Sequence, residues 1–182
     1  MNQSLKVRRL VEAAMIAAIY TVLTYAAAAL NLAYPGVQFR FSEALTILPV
    51  FTPSAIPGLA IGCFLSNLGS PMGIIDWISG TSATLLAAVL TRLLRNLTVK
   101  GLPVLAPFPP VLTNAVIVGC VIAVTDPAGF SVPLFAAMAL SVGLGELAVC
   151  YGLGLPLIAV LKKTGVSKRI FLESQEGPKR VK

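Results

Sequence analysis

Between residues 13 and 161 only eight positions carry a charge: Arg40, Glu43, Asp76, Arg92, Arg95, Lys100, Asp126 and Glu146. They leave uncharged runs at 13–39, 44–75, 77–91, 101–125, 127–145 and 147–161. About 20 apolar residues in a helix cross the hydrocarbon of a bilayer. Runs of this length and number have no water-facing surface to offer, and the composition agrees. Apolar residues make up 57% of the 182 and charged residues 12%, whereas a soluble domain carries about a quarter charged. The chain is predicted to be an all-α integral membrane protein of one domain. Disorder, collagen, a coiled coil and a disulfide scaffold are excluded on the same grounds.

Prolines and turn residues divide the runs. Tyr34-Pro35-Gly36 ends a first helix, predicted at 10–32. Run 44–75 is too long for one crossing, and Pro49, Pro53 and Pro57 break its first half. It is predicted to form two short helices, 42–51 and 55–68. The remaining spans are predicted at 76–94, 107–125 and 133–161, before a basic cytoplasmic tail at 162–182. The last of these is expected to be one long helix interrupted only by Glu146.

Charge parity sets the number of crossings. With six crossings and the N-terminus inside, thirteen of the fourteen basic residues fall on the inner side and Arg40 alone lies outside. Five crossings would put Arg92, Arg95 and Lys100 opposite the N-terminal bases. The positive-inside bias therefore favours six, with both termini cytoplasmic in a cell membrane. The first ten residues lead straight into a full-length helix, unlike a cleaved signal peptide. Asn96-Leu97-Thr98 matches a glycosylation acceptor but falls on the cytoplasmic side of this map. The basic balance flanks apolar runs, a pattern for anionic lipid rather than nucleic acid.

Catalytic signatures are missing from the sequence. It has no histidine, no D-x-x-D pair and no G-x-x-x-x-G-K-[ST] phosphate loop. Cys63, Cys120 and Cys150 sit in apolar runs without metal-ligand spacing, so they are expected to be small core residues, with no metal and no cofactor. An enzyme is not expected.

Polar residues at the outer ends are the candidates for binding a solute. Arg40, Glu43, Asp76 and Asp126 lie in the outer connections, and Glu146 sits halfway along the last span. A carboxylate at mid-membrane costs at least ~2.5 kcal/mol, which favours a ligand contact over a structural role. Asn114 lies at similar depth, either reading a polar ligand edge or bonding between helices. Asp76-Trp77 opens the fourth span, where Asp suits a helix cap and Trp an interfacial belt. An aromatic beside a carboxylate also suits a planar heterocycle. Gln38, Phe39 and Asn67 complete the outer mouth, with Arg40 and Glu43 open to pairing with each other. On the first helix, Ala13, Ala14, Ala17 and Ala18 form two overlapping small-x-x-x-small pairs. Such spacing admits a close helix, from this chain or from a partner.

Three segments carry a family resemblance. The stretch Val37 to Leu68, VQFRFSEALTILPVFTPSAIPGLAIGCFLSNL, closely resembles the QueT family, queuosine-precursor substrate-binding (S) components of energy-coupling factor (ECF) transporters. Met72 to Ala88, MGIIDWISGTSATLLAA, and Gly145 to Leu157, GELAVCYGLGLPL, are similar too. The likeness covers roughly residues 7 to 162. It implies a six-helix S-component bundle whose outer pocket is covered by the loop between helices 1 and 2. It also implies an ECF transmembrane coupling subunit and two ATPase subunits as partners, with Ala13/Ala17 or Ala14/Ala18 docking the coupling subunit. The expected ligand is a 7-deazaguanine such as preQ1, preQ0 or queuine. An S component for another vitamin-like solute, a stand-alone secondary transporter and a membrane scaffold are the alternatives.

Overall fold

The computed structural model describes residues 3–33, 39–99 and 101–171, and among them all named elements are helical. The α-helices are α1 (Gln3–Ala29), α2 (Ala55–Asn67), α3 (Ile74–Leu94), α4 (Phe108–Thr125), α5 (Val132–Val149), α6 (Leu155–Lys163) and α7 (Val166–Ile170). A 3-10 helix, Phe41–Val50, stands between α1 and α2, and a π-helical segment, Cys150–Gly154, joins α5 to α6. Four stretches are long and apolar enough to cross a membrane: Gln3–Ala29, Ile74–Leu94, Phe108–Thr125 and Val132–Lys163. Their outward faces carry exposed Leu10, Val22, Ile78, Leu93, Val132 and Leu140. Such side chains suit hydrocarbon and not water.

Run 44–75 folds as a hairpin. Thr52 donates to Glu12 Oε2 at 2.9 Å, and Arg92 donates to the Pro49 carbonyl at 2.9 Å. These contacts set the turn at 51–54 beside the start of α1 and the end of α3, where the basic residues gather. At the opposite end Arg40 donates to Asn67 Oδ1 at 3.3 Å, so the hairpin's two outer tips meet again. Lys162 donates to the Gly101 carbonyl at 3.0 Å, and Phe171 stacks on Phe51 with centroids 5.8 Å apart. Both described ends of the chain therefore lie at this basic end.

The two legs of the hairpin are short. Ten residues of 3-10 helix rise about 20 Å, and thirteen residues of α-helix rise about as far, ~20 Å. Pro49 explains part of the first leg's geometry, because its ring clashes with the carbonyl four residues back in an α-helix. A ten-residue 3-10 run is long for its kind.

Glycines let the long helices approach. A Cβ on Gly58 would lie 2.7 Å from the Ala13 carbonyl oxygen, and one on Gly62 would lie 2.9 Å from that of Ala17. On the other side of the bundle, a Cβ on Gly119 would lie 2.7 Å from Ala139 Cα, seating α4 on α5. Small residues are the means of close packing where no hydrophobic drive separates helix from lipid. The buried apolar core joins Ile16 and Tyr20 of α1 to Ile47, Leu59, Cys63, Ala88 and Ile158.

Several details differ from the sequence expectation. α1 begins at Gln3 because Lys6, Arg8 and Arg9 are good helix formers that extend the rod beyond its apolar part. α3 begins at Ile74 behind Gly73, whose φ of +62° suits glycine, so Asp76 lies inside the first turn and is not the cap. The final span is interrupted by the π segment after Val149 and not at Glu146, which is helical. Cys63 and Cys150 are buried, but Cys120 is exposed on the membrane-facing side of α4. Of the tail, 172–182 and Gln38 lie outside the described residues.

Candidate functional site

Two layers of polar residues are buried in the half of the bundle away from the basic end. The outer layer centres on Arg40, which precedes the 3-10 leg and is 5% exposed. Its Nη2 lies 3.8 Å from Asp76 Oδ2, its Nε donates to the Ala33 carbonyl at 3.0 Å, and Nη1 reaches Asn67. Asn67, the last residue of α2, donates in turn to the Asp76 carbonyl at 3.1 Å. Gly80 makes room for that amide, since a Cβ there would lie 2.5 Å from Asn67 Nδ2. Arg40 thus ties the end of the α1 connection to both α2 and α3.

The inner layer collects side chains from α1, the 3-10 leg, α4 and α5. Glu43 accepts a short hydrogen bond from the Tyr20 hydroxyl through Oε1, while its Oε2 is buried with no hydrogen-bond partner. Asn114 of α4 donates to Glu146 Oε1 at 3.0 Å. Cys150, first residue of the π segment, lies 3.5 Å from Glu146 Oε2 and 3.6 Å from the Glu43 backbone carbonyl, linking α5 to the 3-10 leg. Thr46 donates to the Glu43 carbonyl at 2.6 Å, and Thr24 to Ser42 Oγ at 2.7 Å. Tyr20, Glu43, Asn114 and Glu146 are all at most 5% exposed.

The chain's irregular backbone lies where these acids lie. A Cβ on Gly154 would lie 3.2 Å from Ile47 and 3.4 Å from the Ala44 carbonyl, so the π segment presses directly on the 3-10 leg. In an α-helix, π segments recur at functional positions because the wider turn re-aims side chains. In this half of the interior three carboxylates stand with one guanidinium: Glu43 on the 3-10 leg, Glu146 one turn before the π segment and Asp76 on α3. That arrangement holds no catalytic nucleophile–base pair and, among the described residues, no group of three metal-ligating side chains. It is suited to holding a polar solute away from water.

The sequence matches the QueT transporter family over residues 10–163. The chain belongs to that family. It is also 36% identical over 76 residues to the "Queuosine precursor transporter QueT" of Lactococcus lactis subsp. cremoris (strain MG1363). That match spans 42% of this chain and 44% of the relative's length. No solved structure matches. A QueT transporter chain with four apolar membrane-length stretches is a multi-pass membrane protein.

Within this QueT chain, the structure separates residues that the sequence grouped at one mouth. Glu146, Asn114 and Glu43 meet in the inner layer, while Arg40, Asp76 and Asn67 meet in the outer one. Arg40 pairs with Asp76 and not with Glu43. Trp77 points to α2, edge-on to Phe64 with centroids 6.4 Å apart, and its Nε1 is buried without a partner. Phe39 is half-buried, its N–H bonded to the Leu32 carbonyl at 2.8 Å. The two alanine pairs of α1 also part company. Ala13 and Ala17 are buried under Gly58 and Gly62, whereas Ala14 and Ala18 are exposed. An apolar groove of about 410 Å³ between α3 and α4, lined by Ile75, Val116, Cys120 and Val124, includes none of these polar residues.

Tyr20, Thr24, Thr46 and Cys150 are the polar partners that the sequence reading omitted. A signal for two of them was present: Glu12, Tyr20 and Thr24 recur at four- and eight-residue spacing, on one face of an otherwise apolar helix.

Proposed function

We propose that this chain is the substrate-capture subunit of a queuosine-precursor importer, taking up a 7-deazaguanine from outside the cell. The observation that carries the reading is the Asn114–Glu146 pair, buried mid-bundle in a QueT family chain. A 7-deazaguanine presents a ring N–H beside an exocyclic amine, and one carboxylate can accept both. Glu146 has that capacity: Oε1 takes one N–H from Asn114, and Oε2 only the weak Cys150 thiol donor. Asn114 then offers its carbonyl and amide to the rest of the ring edge. The π segment one turn away gives the helix slack to adjust around the ring. Trp77 and Phe39 remain candidates for stacking.

In this reading the basic end is cytoplasmic and the chain crosses the membrane six times, with the 3-10 leg and α2 as two short crossings. The positive-inside bias and the folded-back hairpin support it. Uptake is driven by an ECF coupling subunit and two ATPases, since the sequence carries no phosphate loop of its own. Of the two alanine faces, Ala14/Ala18 is the one free to dock that subunit, because Ala13/Ala17 is occupied by α2. A stand-alone carrier is separated from this reading by uptake that persists without ATPase subunits.

The test is ligand identity followed by titration. Mass spectrometry of the small molecule that co-purifies with the chain should return a 7-deazaguanine. Glu146→Gln should then weaken binding at least about 30-fold, the low end for removing one partner of a buried charged hydrogen bond. An unchanged dissociation constant would make Glu146 a structural group.

A further inference from the structure

The inner layer holds two buried carboxyl groups, Glu43 and Glu146, and among the described residues no base of its own. In the half of the interior away from the basic end, the buried acids described are Glu43, Asp76 and Glu146 and the buried base is Arg40, whose Nη2 lies 3.8 Å from Asp76 Oδ2. Glu43 and Glu146 remain: Cys150 lies between the Glu146 carboxylate and the Glu43 backbone carbonyl, and the two acidic side chains are close enough to interact electrostatically. Neither carboxylate has a cationic partner in the ion pairs described. Glu43 is 2% exposed, and its Oε2 has no hydrogen-bond donor at all. A buried acceptor left unmet is costly, and two adjacent carboxylates in a medium of low dielectric are costlier still. A cation arriving with the ligand would relieve both at once.

We propose that Glu43 and Glu146 together form a cation subsite, through which the chain selects precursors that carry a protonated alkylamine over neutral ones with the same ring. The ring edge lies on Asn114 and Glu146, and the ammonium reaches the open oxygen of Glu43. Tyr20 fixes the geometry by holding the other oxygen. The guanidinium of Arg40 is bonded to Asp76 and Asn67 and acts on Glu43 only through space, with no direct ion pair between them among those described. This inference rests on the 7-deazaguanine reading above and names which members of that class are preferred.

The experiment compares two ligands on the purified full chain in nanodiscs: 7-aminomethyl-7-deazaguanine, cationic at neutral pH, and 7-cyano-7-deazaguanine, which is neutral. Calorimetry should give the aminomethyl compound at least a 30-fold lower dissociation constant. Glu43→Gln should collapse that ratio toward one, chiefly by weakening the aminomethyl ligand, while the cyano ligand shifts by less than about threefold. Equal affinities in the wild-type chain overturn the cation subsite and leave the deazaguanine reading standing. A Glu43→Gln loss shared equally by both ligands also overturns it. Binding of neither ligand removes both readings. The wild-type comparison decides the matter even where the variant does not fold.

Discussion

The α1–α2 contact and the contact of the 3-10 leg with the π segment hold the same bundle together by different means. In the first, two regular helices run side by side with glycines against backbone, and no charged group intervenes. In the second, two irregular elements meet, with Gly154 against Ala44 and Ile47 and the acids Glu43 and Glu146 at one end. The regular seam has no room to shift without a clash. The irregular seam has non-α hydrogen bonds on both sides, held in part by Pro49 on the 3-10 leg. The frame is therefore regular and closely packed where the chain is apolar and irregular where it holds its polar groups.

The largest effect is expected from breaking the regular seam. Ala17→Trp must displace Gly62 and α2, an overpacking that costs ~3 kcal/mol or more. The variant should fail to give a monodisperse peak in size-exclusion chromatography. Ala14→Trp, three residues earlier on the exposed face, should keep that peak and its ligand binding but lose ATP-dependent uptake. Should both variants fold alike, the stiffness assigned to the α1–α2 seam is wrong.

An intermediate effect is expected at the outer layer, which ties the two seams together. Asp76→Asn leaves Arg40 buried without its carboxylate, a change worth ~3–5 kcal/mol in measured cases of buried pairs. A drop in melting temperature, with ligand affinity falling less than for Glu146→Gln, would mark this layer as structural. The opposite ranking would move the binding site outward. The smallest effect belongs to the irregular seam's neutral bonds. Thr46→Val removes one hydroxyl bond to the Glu43 carbonyl and should cost about 1 kcal/mol, read from thermal unfolding in detergent.

The sequence disclosed the frame well and the centre poorly, for physical reasons. Uncharged runs and prolines at 49, 53 and 57 report directly on where helices cross and break, so the hairpin in 44–75 was legible. Glu146 and Asn114 were legible as a pair because polar groups at membrane depth are few. The partnership of Glu43 with Tyr20 was not, since it joins residues 23 apart in the sequence and no local pattern encodes that contact. Nor was the assignment of Asp76 to Arg40, which depends on how the tips of the hairpin meet α3. The 3-10 and π windings were equally hidden: Pro49 marks a fault in a helix, but the way the fault is resolved depends on the neighbour pressed against it.

The shortness of the hairpin bears on how far a solute has to travel. Each leg rises about 20 Å, against ~30 Å of hydrocarbon in an ordinary bilayer. In the proposed six-crossing reading, lipid next to those legs thins or water dips toward their tips, a deformation costing fractions of a kcal/mol per ångström. Glu43 stands near one tip and the Pro49 carbonyl near the other, six residues or about 12 Å of 3-10 rise apart. In that reading the barrier at this place in the molecule is less than half a membrane thick.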